Sequence, residues 1–175
     1  MTIEIREARP EEFAEAGRVT ANAYREFVRP GSDWDEYLER IADVGERASR
    51  TVILVALEGA RLLGSLTLEL DGRVSVGHDR EQLGPDEAHV RMLGVDPGAR
   101  RRGIARLLMA ETEARAHAAG RTRITLHTTQ RMLAAQRLYE GLGFERHAHE
   151  VFPDGFVLLS YEKRVTPEGA GSGPG

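Results

Sequence analysis

Leu93 to Leu108, LGVDPGARRRGIARLL, restricts the fold more than any other stretch of the chain. An apolar run ends at Val95, and Asp96-Pro97 stops it. Gly98 to Arg102 make a short basic turn, and Gly103 opens a helix with apolar positions at Ile104, Leu107 and Leu108. A strand, a glycine-bearing turn and a helix start, in that order, present backbone N–H groups without intrahelical partners. The aligned peptide dipoles add partial positive charge there, which suits a phosphate. Such units are also common in α/β proteins that bind none. The triplet Arg100-Arg101-Arg102 decides little, because the chain has 24 Lys+Arg and all but Lys163 are arginine.

The remaining composition excludes several classes. A chain of 175 residues with 41% hydrophobic and 30% charged content fits one soluble domain with a real core. The net charge of −4 argues against nucleic-acid binding across the whole surface. No cysteine is present, which removes disulfides, thiolate metal sites and an acyl-cysteine intermediate. The start of the chain lacks the apolar core of a signal peptide, and no run approaches the roughly 18 apolar residues of a membrane span. A cytoplasmic protein without membrane or metal is the expectation.

The order of elements follows from periodicity and punctuation. Ile3 and Ile5 share one face of a strand over Thr2–Glu7. After Pro10, Phe13, Ala16, Val19, Thr20, Ala23, Tyr24 and Phe27 fall at helical spacing, and Arg29-Pro30-Gly31 ends that helix. Ser32 or Asp33 caps a second helix with Trp34, Tyr37, Leu38, Ile41 and Val44 as its stripe. Thr51–Leu57 and Leu62–Leu70 form an antiparallel hairpin, and Asp71–Asp86 is a long polar loop with a short strand at Val74–Val76. A strand over Glu87–Val95 precedes the opening stretch. A helix from Gly103 to Ala119, closed by Gly120, leads to a strand over Arg121–Leu126. A helix over Leu133–Leu142, a strand from Phe144 and a last strand over Phe156–Tyr161 complete residues 1–165. Residues 166–175, rich in glycine and proline, form a disordered tail. The fold class is α/β (α+β). It has one mixed, mostly antiparallel sheet with helices on both faces, and a right-handed crossover joins the strands Glu87–Val95 and Arg121–Leu126.

Two segments in this frame resemble the GCN5-related N-acetyltransferase (GNAT) superfamily. Its Gln/Arg-x-x-Gly-x-Gly/Ala signature is matched by Arg100, Gly103 and Ala105, and a later Ala-x-x-x-Tyr followed by Gly-Phe by Ala135, Tyr139, Gly143 and Phe144. The resemblance covers nearly the whole chain. Two positions depart from the pattern. Arg101 stands where a glycine is common; a positive φ would strain an arginine, so the position is read as one that accepts a side chain. Met132 stands where many members have an asparagine near the cofactor.

The resemblance implies an enzyme that uses acetyl-CoA to acetylate an amine directly in a ternary complex. The diphosphate would rest on the N–H groups of Arg100, Arg101, Arg102, Gly103, Ile104, Ala105 and Arg106. The pantetheine arm would pair with Leu93, Gly94 and Val95, where the family has a bulge that splays two central strands. Leu93 N–H is the implied oxyanion donor, and Tyr139, which would also contact the cofactor, is the implied general acid. His89 and His127, with Glu87 behind, are the candidate bases. His147 and His149, at i and i+2, share one face if the strand there is regular, and are too few for a metal.

A second reading is a catalytically silent acyl-CoA-binding module, which has no need of the Tyr139 phenol. A nucleotide-binding protein is disfavoured because the phosphate-binding lysine and the magnesium-binding hydroxyl are missing after Gly103. The acceptor stays open among small amines, antibiotic-like amines, amino acids and protein N-termini or lysines. Homodimers are frequent in the family.

Overall fold

The computed structural model describes residues 2–28, 32–71 and 82–165. The turn at Arg29-Pro30-Gly31, the short strand at Val74–Val76 and the tail 166–175 lie outside these residues.

Seven strands form one sheet in the order β1-β2-β3-β4-β5-β7-β6. They are β1 (Ile3–Glu7), β2 (Val52–Glu58), β3 (Arg61–Glu69), β4 (Glu87–Val95), β5 (Arg123–Thr129), β6 (Glu145–Val151) and β7 (Val157–Arg164). All neighbours are antiparallel except β4 and β5, which are parallel and joined through a helix, as the crossover requires. The helices are α1 (Phe13–Tyr24), α2 (Ser32–Ala42), α3 (Val44–Ala48), α4 (Ile104–Ala118) and α5 (Leu133–Gly141).

Both faces of the sheet are covered, and the alternation of β2 records it. Leu54 and Ala56 join Leu66, Leu68, Val90, Ile104, Leu108 and Leu126 in the core under α4 and α5. Ile53, Val55 and Leu57 join Ala16, Val19 and Val44 under α1 and α3. Gly17 lets α1 and α2 touch: a Cβ there would lie 1.9 Å from the Ala42 carbonyl oxygen.

Three expectations need correction. The second helix does not run through Val44. It stops at Ala42, and the Asp43 side chain accepts from Glu46 N–H at 3.1 Å to cap a separate α3. The strand expected to end at Leu126 continues to Thr129, because Thr128 and Thr129 extend its pairing with β7; His127 is therefore inside β5. A register shift between Arg146 and Ala148 breaks the alternation of β6 at His147, so His147 and His149 are not held on one face.

Candidate active site

The sheet opens in its middle. β4 pairs with β5 from Glu87↔Arg123 to Val90↔Leu126, the last matched pair between them. On its other side β4 stays on β3, with Thr67 opposite Arg91 and Ser65 opposite Gly94. Met92 and Leu93 therefore stand against Leu66 alone, and Met92 has φ +53°. This is a β-bulge, and it turns the strand at the point where β5 leaves it. Beyond the bulge Asp96 N–H still donates to the Leu63 carbonyl at 2.8 Å. By the alternation of backbone groups, the N–H and C=O of Val95 turn to the opposite edge, toward the gap.

The gap is a cleft of about 400 Å³. Leu93, Gly94 and Val95 form one wall, and Ala99 to Arg106, without Arg102, form its end. Met132, Ala134, Ala135, Leu138 and Tyr139 form the opposite wall, and Ala23, Tyr24, Glu26 and Phe27 close it from α1 and the turn after it. Gly94 lets α1 approach β4, since a Cβ there would lie 3.0 Å from Thr20 Cα and 3.1 Å from Ala23 Cβ.

The turn into α4 meets part of the sequence expectation. Asp96 accepts from Gly98 N–H at 2.8 Å, and Gly103 takes the residue before the helix in the left-handed region, φ +77°. The first N–H groups of α4, on Ile104, Ala105 and Arg106, have no partner four residues back and face the cleft end. Arg101 corrects the reading made of it. Its φ is +60°, so the arginine does occupy a position that favours glycine. The triplet as a whole does not converge on the cleft. Arg102 turns away to Glu58, 2.6 Å, and Arg100 pairs with Glu26.

Tyr139 is 5% exposed and packs its ring against Phe144 and Tyr161, with centroids 5.9 and 6.0 Å away. Burial pushes its phenol well above the ordinary tyrosine range, so it stays protonated at neutral and mildly alkaline pH.

His89 and His127 do not line the cleft itself but meet each other on the α1–α3 side of the sheet, ring centroids 5.2 Å apart. His89 is 2% exposed and His127 is exposed. His89 Nδ1 lies 2.8 Å from Thr125 Oγ1, and His127 Nδ1 lies 3.0 Å from Ser160 Oγ. Around them is a buried polar layer that the sequence alone did not announce. Thr67, Glu69 and Arg47 are almost fully buried, Arg91 bonds Glu69 at 3.3 Å, and the Arg47 guanidinium bonds Thr67 Oγ1 at 3.1 Å and the carbonyls of Arg40, Ile41 and Asp43. Burial, and then repulsion from Arg91, lower the Arg47 guanidinium to about 10. The available signal was Glu69, the one charged residue of the strand expected over Leu62–Leu70. Among the described residues no group of three or more His, Cys, Asp or Glu could hold a metal ion. No helix among them is long and apolar enough to cross a membrane.

Solved acetyltransferases share this fold. A structure from Desulfovibrio desulfuricans, described as an acetyltransferase of the GNAT family, aligns at TM-score 0.74 with 18% identity, covering 94% of this chain and 100% of that one. The ribosomal-protein-S18-alanine N-acetyltransferase of Escherichia coli aligns at 0.68 with 17% identity over 99% and 100%. The yncA protein of Salmonella typhimurium, solved with acetyl-CoA, aligns at 0.68 with 18% identity over 99% and 100%. The model of the acetyltransferase (GNAT) family matches residues 14–144, and the chain belongs to that family. The mycothiol acetyltransferase of Geodermatophilus obscurus is 30% identical over 135 residues, 77% of this chain. The chain spans only 41% of that relative's length.

Proposed function

We propose that this acetyltransferase moves the acetyl group of acetyl-CoA to a primary amine by direct attack, with both substrates bound at the parted strands. The observation that carries the reading is the coincidence of three features at one cleft: the bulge at Met92, the helix start at Gly103 and the Tyr139 phenol. A phosphate needs the N–H groups of Gly103 to Arg106, and a pantetheine amide needs the unpaired edge at Leu93 and Val95. The end of the cleft and its strand wall supply these in that order. Arg100 and Arg102 pair with Glu26 and Glu58, so backbone groups carry the diphosphate and the arginine side chains add a secondary, screened contribution.

The amine nitrogen attacks the thioester carbonyl carbon. Leu93 N–H is the donor for the developing oxyanion, and the carbon–sulfur bond breaks as Tyr139 gives its proton to the departing thiolate. Burial raises the phenol, which keeps it in the protonated form that an acid needs. The proton of the attacking amine passes through water to the pair His89–His127, which stands outside the cleft lining. The buried phenol in the cleft wall favours this reading over a silent acyl-CoA-binding module.

The acceptor is a small-molecule or peptide amine, and the protein acts in the cytoplasm, without nucleic acid, membrane or metal. The test is CoA release from acetyl-CoA against tyramine, an aminoglycoside, alaninamide and peptides with a free N-terminus or lysine. Turnover with at least one amine is expected. Tight CoA binding with no turnover on any of them would favour the silent module.

A further inference from the structure

His89 has its proton placed for it. Thr125 Oγ1 donates to Glu87 Oε1, and a carboxylate can only accept. The single hydroxyl proton of Thr125 is therefore used. Its remaining interaction with His89, 2.8 Å to Nδ1, must be one in which Nδ1–H donates and the hydroxyl oxygen accepts. Neutral His89 is then the Nδ1–H tautomer, and Nε2 bears the lone pair.

Glu87 is itself fixed. Its Oε2 accepts from Gly84 N–H at 3.0 Å and from Arg123 Nη2 at 3.2 Å. Gly84 makes room for that contact, since a Cβ there would sit 2.9 Å from Arg123 Nη2. The line Arg123, Glu87, Thr125, His89 runs between neighbouring strands whose register sets it: Glu87 opposite Arg123 and His89 opposite Thr125.

We propose that Thr125 and Glu87 are positioning residues that hold His89 in the Nδ1–H tautomer, leaving Nε2 as the basic nitrogen for the amine's proton. This rests on the reading of the His89–His127 pair as the proton acceptor. A hydroxyl locked toward a carboxylate also favours the imidazolium, because the Nδ1–H bond strengthens when the ring is charged. Other charged or titratable groups face the same ring. Glu69 lies opposite on β3, Arg91 two residues along β4, and His127 beside it from β5. Glu162 of β7 stands opposite Thr125, and Arg47 comes from α3 over Thr67. Tyr24 and Tyr37, from α1 and α2, lie in the field of Arg91. The acidic limb of activity is therefore a property of this whole layer, whereas the tautomer depends on Thr125.

Thr125→Val removes the hydroxyl at nearly constant shape, and Thr125→Ser restores it; Thr125→Ala replaces the valine variant should that one fail to fold. The tautomer is read by long-range proton–nitrogen NMR of the histidine-labelled full chain without ligand. Wild type and Thr125→Ser should show Nδ1 protonated and Nε2 unprotonated at high pH, and Thr125→Val should lose that preference. With the amine giving the highest turnover in the panel above, Thr125→Val should lower the plateau of kcat/KM roughly tenfold, the worth of one hydrogen bond. It should also move the acidic limb to lower pH, and Thr125→Ser should reverse both changes. An unchanged tautomer in Thr125→Val would overturn the proposal. A changed tautomer with unchanged kinetics would support the lock and overturn the assignment of the proton acceptor.

Discussion

Val90 stands opposite Leu126 as the last matched pair of β4 and β5, and two residues later Met92 turns the strand through a positive φ. Parallel strands held on one flank and released on the other leave backbone groups without partners, a costly arrangement inside a protein unless a ligand completes it. Here the released edge lies beside the start of α4, so one ligand can meet both sets of N–H groups.

Tyr139→Phe keeps the ring packing against Phe144 and Tyr161 and removes only the hydroxyl. CoA affinity should change by no more than about twofold, while kcat should fall by about 10²- to 10⁴-fold, the usual worth of a positioned acid. Because burial raises the phenol, wild-type kcat should show no alkaline decline below about pH 10. Steady-state kinetics across pH checks both outcomes.

Arg101 and Gly103 share left-handed backbone but differ in what a substitution does. Arg101→Gly relieves an L residue at φ +60° and should raise stability by about 1 kcal/mol, a few degrees in Tm. Gly103→Val puts a branched side chain at φ +77°, where no protein atom lies within 4 Å of the added Cβ. It should cost about 1–2 kcal/mol in backbone strain and weaken CoA binding by obstructing the approach of the diphosphate. Thermal melts and CoA titration separate the two effects.

Gly94→Ala should affect both packing and substrate. The new Cβ meets Thr20 Cα and Ala23 Cβ, atoms of α1 that cannot give way without moving the helix. A loss of about 1–3 kcal/mol is expected, together with a raised KM for acetyl-CoA, because Gly94 lies in the strand wall of the cleft. Denaturant unfolding and kinetics measure the two.

Acid should loosen the junction of β1 and α1. Glu12 receives both Arg6 guanidinium nitrogens, at 2.6 and 2.8 Å, and Arg9 N–H at 2.8 Å. The Arg6 hydrogen bonds chiefly, then Arg9 N–H, lower its carboxyl from 4.5 to about 2. A carboxyl lowered by folding stabilises the native state above its unfolded value, and that contribution disappears as pH falls from about 4.5 to about 2. Glu12→Gln should remove about 1–2 kcal/mol near neutrality and flatten the stability profile in that window. Urea unfolding at several pH values tests it.

Local spacing made the helix start at Gly103 and the inward position of Tyr139 legible, because each depends on residues within two helical turns. The layer around His89 was not legible. Glu69, His89, Thr125 and Glu162 come into one row only through the registers of four strands, and a one-residue slip would send any of them to the other face. Thr125 carries no signal in the sequence at all. The arginine triplet was rightly given little weight: Arg100 and Arg102 pair with Glu26 and Glu58, which are remote in sequence.

Residue-resolved amide hydrogen exchange, with and without saturating CoA, tests the central claim most directly. Seating of CoA in the parted cleft predicts slowing on the order of tenfold or more at Val95 and at Ile104, Ala105 and Arg106. Bound CoA with those amides unchanged, and protection confined to another surface such as β6 and β7, would contradict it.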